Sequence, residues 1–139
     1  MSMHGFLSFA SHDSAEVALL RSGLAVHGIQ LWIARERPEP ASPWHDAARG
    51  AIESAPAVVL AVSPAWVGSP PCAYELGLAR GLGRPVLALL DLSAAMAVSE
   101  LPSVLGSSGV ERIDGGRSIA RAVEAVARRL RSRRPSSSP

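Results

Sequence analysis

The amino-acid sequence predicts an α/β fold in which helices cover both faces of one parallel β-sheet. Apolar runs alternate regularly with helical stretches along the 139 residues, a length that suits a single domain. The strongest runs, PAVVLAV (56–62) and RPVLALLDL (84–92), are nearly continuous and show no polar alternation. Strands of this kind are typical of parallel sheets that are buried on both faces.

Five strands are predicted from these runs and from shorter ones. Five strand–helix units suit a flavodoxin-like, doubly wound sheet with the strand order 2-1-3-4-5. Ligands of such sheets bind beyond the carboxyl ends of the strands, where strands 1 and 3 diverge. The predicted strands are residues 4–10, 29–33, 56–62, 84–92 and 109–114.

Helices are predicted between the strands from helical spacing and from start and stop signals. Gly28 ends the first helix, and Ser63 followed by Pro64 starts a short one as its cap and first residue. The pair Pro70-Pro71 predicts a break, after which a new helix begins. The predicted helices are 11–28, 44–55, a short one from 63, 72–83 and 116–132, with a loop at 34–43 and an ambiguous stretch at 93–108.

The composition favours a well-buried globular domain in a reducing compartment. The chain is 47% hydrophobic, and its single cysteine cannot form an internal disulfide. No apolar run is long enough to span a membrane, and the first residues lack the pattern of a signal peptide. We therefore expect a cytoplasmic protein with no membrane contact.

The basic residues are distributed unevenly. All 14 are arginines, and the last dozen residues contain several of them. A basic end is able to bind nucleic acid, but a solvated helix end that continues into a Ser/Pro-rich linker is the preferred interpretation. The predicted organisation is therefore one domain at 1–131 and a linker tail at 132–139. The arginines concerned are Arg128, Arg129, Arg131, Arg133 and Arg134.

Several motifs of nucleotide and metal sites are missing from the sequence. There is no P-loop, and the first predicted strand is followed by ASHDS instead of a glycine-rich turn. The four histidines lack the spacing of metal ligands, so we predict no metal site. Cys72 has no histidine nearby in sequence to activate it and is predicted to be a small buried residue.

Three stretches share a pattern with one known family, in the family's order. FLSFASHD (6–13) is similar to F-[IV]-S-[YF]-S-x-x-D, and GIQLWI (28–33) precedes a proline-containing loop and SPWHDAARGAIESA (42–55). Residues 57–90 carry S-x-x-[YW]-x-x-S-x-x-C-x-x-E-L in register. Together these stretches resemble the three sequence boxes of Toll/interleukin-1 receptor (TIR) domains.

At three positions the sequence lacks a residue that is common in the family. Pro71 stands where many bacterial relatives have a Trp, four residues before Glu75. Trp66 is a candidate to supply this missing aromatic wall. Phe9 and Ala10 stand where Tyr and Ser are common, which removes two hydroxyl groups.

The resemblance implies a flavodoxin-like fold and one of two activities. These are cleavage of NAD+ at the nicotinamide–ribose bond, or scaffolding through TIR–TIR contacts. In NAD-cleaving members the essential carboxylate is the Glu of the C-x-x-E motif, here Glu75. The residues predicted to bind substrate are Phe9, Ser11, Trp32, Arg35, Trp44, Ser63, Trp66 and Cys72.

These assignments have structural alternatives. Glu75 is expected as an exposed acid in the first turn of its helix, where it would complement the helix dipole. Trp32 in a strand and Trp44 at a helix start suit core or staple positions, and Arg35 suits a solvated loop. The loop at 34–43 is also a candidate cover for the site.

The function predicted from the resemblance is that of a bacterial NAD+ nucleosidase activated by TIR self-assembly into a homo-oligomer or filament. NAD+ is the substrate, no cofactor is implied, and a sensor or oligomerisation domain is expected after the tail. The resemblance suggests anti-phage defence, with a linear or a cyclic ADP-ribose product. The alternatives are a non-catalytic TIR adaptor and a nucleotide-binding module without turnover.

Overall fold

The computed structural model describes residues 3–33, 44–90, 110–114 and 118–132. Its strands are β1 (Met3–Ser8), β2 (Ile29–Trp32), β3 (Val58–Ala61), β4 (Val86–Leu90) and β5 (Val110–Asp114). They form a five-stranded sheet with the order β2-β1-β3-β4-β5, and every neighbouring pair is parallel. The predicted sheet and its strand order are therefore confirmed.

The helices of the described segments connect and follow these strands. A short 3-10 turn (Ser11–Asp13) leads into the first of them. The predicted loop at 34–43, the ambiguous stretch at 93–108 and the tail after Ser132 lie outside the described residues. The α-helices are α1 (Ser14–Val26), α2 (Trp44–Ser54), α3 (Pro64–Val67), α4 (Pro70–Gly81) and α5 (Ile119–Ser132).

The core consists of two layers, one on each face of the sheet. In β1, Leu7 packs in the cluster that includes α1 and α5, whereas Phe6 packs in the cluster that includes α2, α3 and α4. Successive residues of a strand point to opposite faces, so an apolar strand supplies both clusters. The central strand β3 is buried at all four of its positions, as its continuous apolar sequence predicts.

Two glycines end helices in a left-handed backbone conformation. Gly28 follows α1 with a φ of 76°, and Gly83 follows α4 with a φ of 70°. Glycine adopts this region without strain because it has no Cβ. Gly28 is therefore confirmed as the predicted stop of the first helix.

The predicted break at Pro70-Pro71 is wrong, because α4 begins at Pro70. Ser69 is its N-cap, and the Ser69 hydroxyl accepts a hydrogen bond from the Cys72 backbone N–H at 3.4 Å. The first N–H groups of a helix have no intrahelical partner, so prolines are tolerated there. The earlier start moves Glu75 from the first turn of the helix into the second.

Candidate functional site

The candidate site lies at the carboxyl ends of β1 and β3, the edge of the sheet where ligands of this fold bind. Ser8 is the last residue of β1 and is in register with Leu60 of β3. Ser63 comes two residues after the end of β3 and is the N-cap of α3. Phe6 and Ser8 are two residues apart on β1 and point to the same face, so Ser8 faces the helices of that layer.

Glu75 is a buried carboxylate that is held against the end of β1. Only 3% of the residue is exposed. Glu75 Oε1 accepts a hydrogen bond from the Ser8 hydroxyl at 2.7 Å. The expectation of an exposed first-turn acid is therefore wrong. The helix dipole acts mainly within the first turn, whereas Glu75 lies in the second and is oriented by a hydroxyl on a different element.

Trp66 of α3 makes the second contact at Ser8. Its indole Nε1–H donates a hydrogen bond to the Ser8 hydroxyl oxygen at 3.1 Å. Its ring is buried in the cluster that also contains residues of α4. Ser8 is fully buried and uses its hydroxyl both as a donor and as an acceptor, as buried polar groups generally must. Trp66 is thus linked to Glu75 through one intervening side chain.

Asp13 and Ser63 form a second buried polar pair at the same edge. The Ser63 hydroxyl donates a hydrogen bond to Asp13 Oδ2. The same hydroxyl accepts from the Trp66 backbone N–H at 3.1 Å, which confirms Ser63 as the predicted helix cap. Asp13 is brought here by the turn after β1, which its own backbone N–H closes by donating to the Ala10 carbonyl at 2.9 Å.

Cys72 and Phe9 are both buried, but on opposite sides of the sheet. Cys72 is fully enclosed in the cluster with α4, which confirms it as a small buried residue. Phe9 packs in the cluster with α1 and α5. Ser11 begins the 3-10 turn and is exposed. Of the two buried residues, Cys72 shares the face of Glu75 and Phe9 does not.

Trp32 ends β2 at the edge of the described sheet. It is 40% exposed, and its ring stacks on His4 with the ring centroids 5.8 Å apart. The core alternative for Trp32 is therefore wrong. Trp32 also lines an open groove of about 440 Å³ between α1 and β2. Arg35 and the side chain of Trp44 lie outside the described residues, so their substrate contacts stay predictions.

Two residues of this arrangement, Ser8 and Asp13, are not among the predicted site residues. Ser8 is the one polar side chain in the run GFLSFA, and a lone hydroxyl in a buried strand needs a partner. Asp13 fills the last position of the first TIR-like box. Neither signal identifies the partner, because the Ser8–Glu75 and Asp13–Ser63 pairs are separated by 67 and 50 residues.

Among the described residues, no three His, Cys, Asp or Glu side chains are grouped so that they could hold a metal ion. Across the described segments, no helix combines the length and the apolar character needed to cross a membrane.

Comparison with known proteins relates most of the chain to one family. Residues 6–131 match the model of the TIR domain. A search of curated proteins finds no match. The family match covers far more than half of the chain and includes every residue of the site described above.

Solved structures share the fold at low sequence identity. The TIR domain of the Toll-related receptor TRR-2 from Hydra magnipapillata has a TM-score of 0.72 and 20% identity, covering 93% of this chain and 96% of that one. The CMP N-glycosidase BcmB from Clostridium botulinum has a TM-score of 0.61 and 18% identity, covering 93% and 98%. The RPS4 and RRS1 TIR domain heterodimer has a TM-score of 0.65 and 17% identity, covering 94% and 97%.

Proposed function

This chain belongs to the TIR domain family, and we propose that it is an NAD+ nucleosidase that cleaves the nicotinamide–ribose bond. The observation that carries the proposal is the environment of Glu75. This carboxylate belongs to the C-x-x-E motif and accepts a hydrogen bond from Ser8 at 2.7 Å, at the carboxyl ends of β1 and β3. That edge is where ligands bind in sheets of this order.

The proposed reaction requires few protein groups, because the nicotinamide of NAD+ is a cationic pyridinium. When its bond to ribose C1′ breaks, the electron pair leaves with nicotinamide, which departs as a neutral base. Positive charge develops on the ribose, as in glycoside hydrolysis, and a nearby carboxylate stabilises this charge. Water then adds at C1′ and loses a proton, which gives ADP-ribose. Glu75 is the carboxylate proposed for this role.

Access to Glu75 is restricted in the single chain. Because the residue is buried, its carboxylate contacts a ribose only after the groups that cover it have moved. We infer that TIR self-assembly provides this rearrangement. The RPS4 and RRS1 TIR domains form a heterodimer, and this supports activation through TIR–TIR contacts. A low basal rate is therefore expected for the dilute chain.

The burial of Glu75 also favours a second candidate, a non-catalytic adaptor that acts through TIR–TIR contacts. A buried, hydrogen-bonded carboxylate is able to serve the specificity of the fold alone. Pro71 in place of the family Trp and Ala10 in place of the family Ser point in the same direction. The two candidates differ in whether any N-ribosyl bond is cleaved.

The test is to incubate the self-assembled chain with NAD+, NADH or CMP and to quantify the released base by chromatography. NADH is the matched control, because its reduced nicotinamide is uncharged and is a poor leaving group. CMP is included because BcmB is a CMP N-glycosidase. The cytosine of CMP is uncharged, unlike the nicotinamide of NAD+, and it becomes a good leaving group only when it is protonated. Release from NAD+ alone supports the proposal, release from CMP alone reassigns the substrate, and no release favours the adaptor.

The proposal extends to the cellular role of the chain. We infer a bacterial cytoplasmic enzyme that depletes NAD+ in defence against phage. A sensor or oligomerisation domain joined after the tail would bring the TIR domains together. NAD+ levels in phage-infected cells that express the full-length protein test this role, with the Glu75→Gln variant as the control. Equal NAD+ levels with the two proteins would contradict it.

A further inference from the structure

Two buried hydrogen-bonded pairs meet at one residue, Trp66. On one side its backbone N–H donates to Ser63 Oγ at 3.1 Å, and Ser63 donates in turn to Asp13. On the other side its indole N–H donates to Ser8 Oγ at 3.1 Å, and Ser8 donates to Glu75. We call these five residues the polar chain. It links the turn after β1 with the second turn of α4.

With Asp13 and Glu75 ionised, the chemistry of the groups fixes the direction of every hydrogen bond in the polar chain. A backbone N–H and an indole N–H only donate, so each serine hydroxyl accepts from Trp66. Each hydroxyl has a single hydrogen, which then goes to the carboxylate on its other side. Turning either hydroxyl away would leave a buried donor or acceptor unsatisfied, which is strongly unfavourable. Only one arrangement of these hydroxyls therefore satisfies all the groups.

Burial makes this arrangement sensitive to small displacements. Every member of the polar chain is at most 8% exposed. Hydrogen bonds are stronger in such surroundings, and an unsatisfied group is correspondingly costly, so a shift of one member displaces the next. Well-packed apolar side chains would often stabilise these positions as well or better. A fully satisfied buried polar network also holds its members in one arrangement.

We propose that Asp13 and Ser63 are positioning residues that orient Glu75 through Trp66 and Ser8. The inference rests on the proposed function, in which Glu75 stabilises the ribose cation. Asp13 orients the Ser63 hydroxyl, and Ser63 fixes the backbone of Trp66 at the start of α3. The Trp66 indole then holds Ser8, whose hydrogen bond sets the position of the Glu75 carboxylate. In this proposal Ser63 acts through Trp66 and Ser8, and not through the substrate contact that the sequence analysis predicts for it.

The structural half of the inference is tested by NMR on the free chain, without substrate. The indole N–H resonance of Trp66 is assigned with Trp66→Phe, and the side-chain carboxyl carbon of Glu75 is assigned with Glu75→Gln. Ser63→Ala removes the hydroxyl, whereas Ser63→Thr keeps it. Both resonances are expected to shift in Ser63→Ala and to return towards their parental positions in Ser63→Thr. A Glu75 carboxyl resonance that stays unshifted in Ser63→Ala overturns the inference.

The kinetic half is tested by nicotinamide release from the assembled chain, at a temperature where all variants are folded. Ser63→Ala is expected to lower kcat by roughly tenfold to a hundredfold, because a misplaced catalytic group stabilises the transition state less. KM should change little, since the substrate is still bound in its ground state. Ser63→Thr is expected to restore kcat. A Ser63→Ala variant that keeps the parental kcat overturns the inference.

A matched control separates positioning from the loss of a helix cap. The Ser118 hydroxyl accepts a hydrogen bond from the Arg121 backbone N–H at 3.3 Å, at the start of α5 in the other layer. Ser118→Ala removes this cap and is expected to keep both the Glu75 resonance and kcat. Equal losses of kcat in Ser118→Ala and Ser63→Ala would show that Ser63 contributes only to stability.

The NMR and kinetic measurements together distinguish a failure of the positioning from a failure of the proposed function. If the parental chain releases no nicotinamide while the resonances respond as expected, the proposed function fails and the positioning of Glu75 stands. If the parental chain is active and Ser63→Ala leaves kcat or the carboxyl resonance unchanged, the positioning fails. If Ser63→Ala does not fold, Asp13→Asn replaces it, because it weakens the acceptor of the Ser63 hydrogen bond but keeps its shape. Smaller changes in the same direction are then expected in both measurements, and unchanged values contradict the inference.

Discussion

At the scale of single residues, the Glu75 carboxylate combines a cost of burial with a hydrogen bond that offsets part of it. Glu75→Gln keeps an acceptor oxygen for Ser8 and removes the charge, so we expect an unchanged or higher free energy of unfolding. Glu75→Ala removes the acceptor as well, so we expect a loss of about 1–3 kcal/mol. Urea unfolding measures the free energy of unfolding of both variants. A larger loss for Gln than for Ala would contradict this account of the site.

Ser8 uses its hydroxyl in two of the buried hydrogen bonds of the site. Ser8→Ala removes the hydroxyl that is hydrogen-bonded to both Trp66 and Glu75, so we expect the free energy of unfolding to fall by about 1–3 kcal/mol. The control is Ser54→Ala, since the exposed Ser54 hydroxyl donates to the Gly50 carbonyl at 3.0 Å. Removing this exposed hydrogen bond should change the free energy of unfolding by no more than about 0.5 kcal/mol. Equal losses in urea unfolding would mean that the hydrogen bonds of Ser8 add no net stability.

Sequence identifies some of these residues because their signals are local. Ser63 is followed by Pro64, which predicts a helix cap, and Glu75 stands in a motif of fixed spacing. The partnership of Ser8 with Glu75 has no local signal, because it depends on how β1 and α4 pack in three dimensions. The burial of Glu75 is missed for the same reason, since spacing places an acid on a helix without showing what covers it.

At the scale of elements, the packing of α1 against α5 depends on a glycine. A Cβ built at Gly23 would lie 2.5 Å from Cγ2 of Val123, a side chain with little rotational freedom. Gly23→Ala is therefore expected to lower the free energy of unfolding by about 1–3 kcal/mol. Adding Val123→Ala removes the clash, so the two effects should not add. Additive losses in urea unfolding would contradict a direct contact.

Gly77 provides the matched control for that substitution. It lies in the middle of α4, where an added Cβ would meet nothing within 4 Å. Gly77→Ala is expected to raise the free energy of unfolding by about 0.5–1 kcal/mol, because alanine loses less backbone entropy in a helix. A loss at Gly77 similar to that at Gly23 would show that helical glycines are required here for a reason other than close packing.

The elements themselves are largely predictable, whereas their ends and edges are less so. Continuous apolar runs predict β3 and β4 because both faces of a central parallel strand are buried. The start of α4 is missed because a proline pair suits either a helix break or a first turn, and the cap at Ser69 selects the second. The predicted strand order already places β2 at the edge, but the exposure of Trp32 is missed because the sequence does not show that Ile29 and Leu31 are buried while Trp32 lies on the exposed face.

At the scale of the whole molecule, the buried position of Glu75 predicts activity that depends on assembly. The dilute chain should release nicotinamide slowly, and fusion to a self-associating domain should raise turnover per chain by increasing the local concentration. Light scattering at the assay concentration establishes the oligomeric state, and a monomeric fusion partner serves as the control. Full turnover by a confirmed monomer would contradict activation by assembly.

The most direct test of the account is to compare nicotinamide release by the parental chain and by Glu75→Gln, both in the assembled form. The melting temperature is measured on the same preparations. Removal of the charge proposed to stabilise the ribose cation is expected to slow release by about a hundredfold or more, while the melting temperature stays the same or rises. Unchanged release by Glu75→Gln would remove this carboxylate from the mechanism, and a collapsed melting temperature would show that its role is structural.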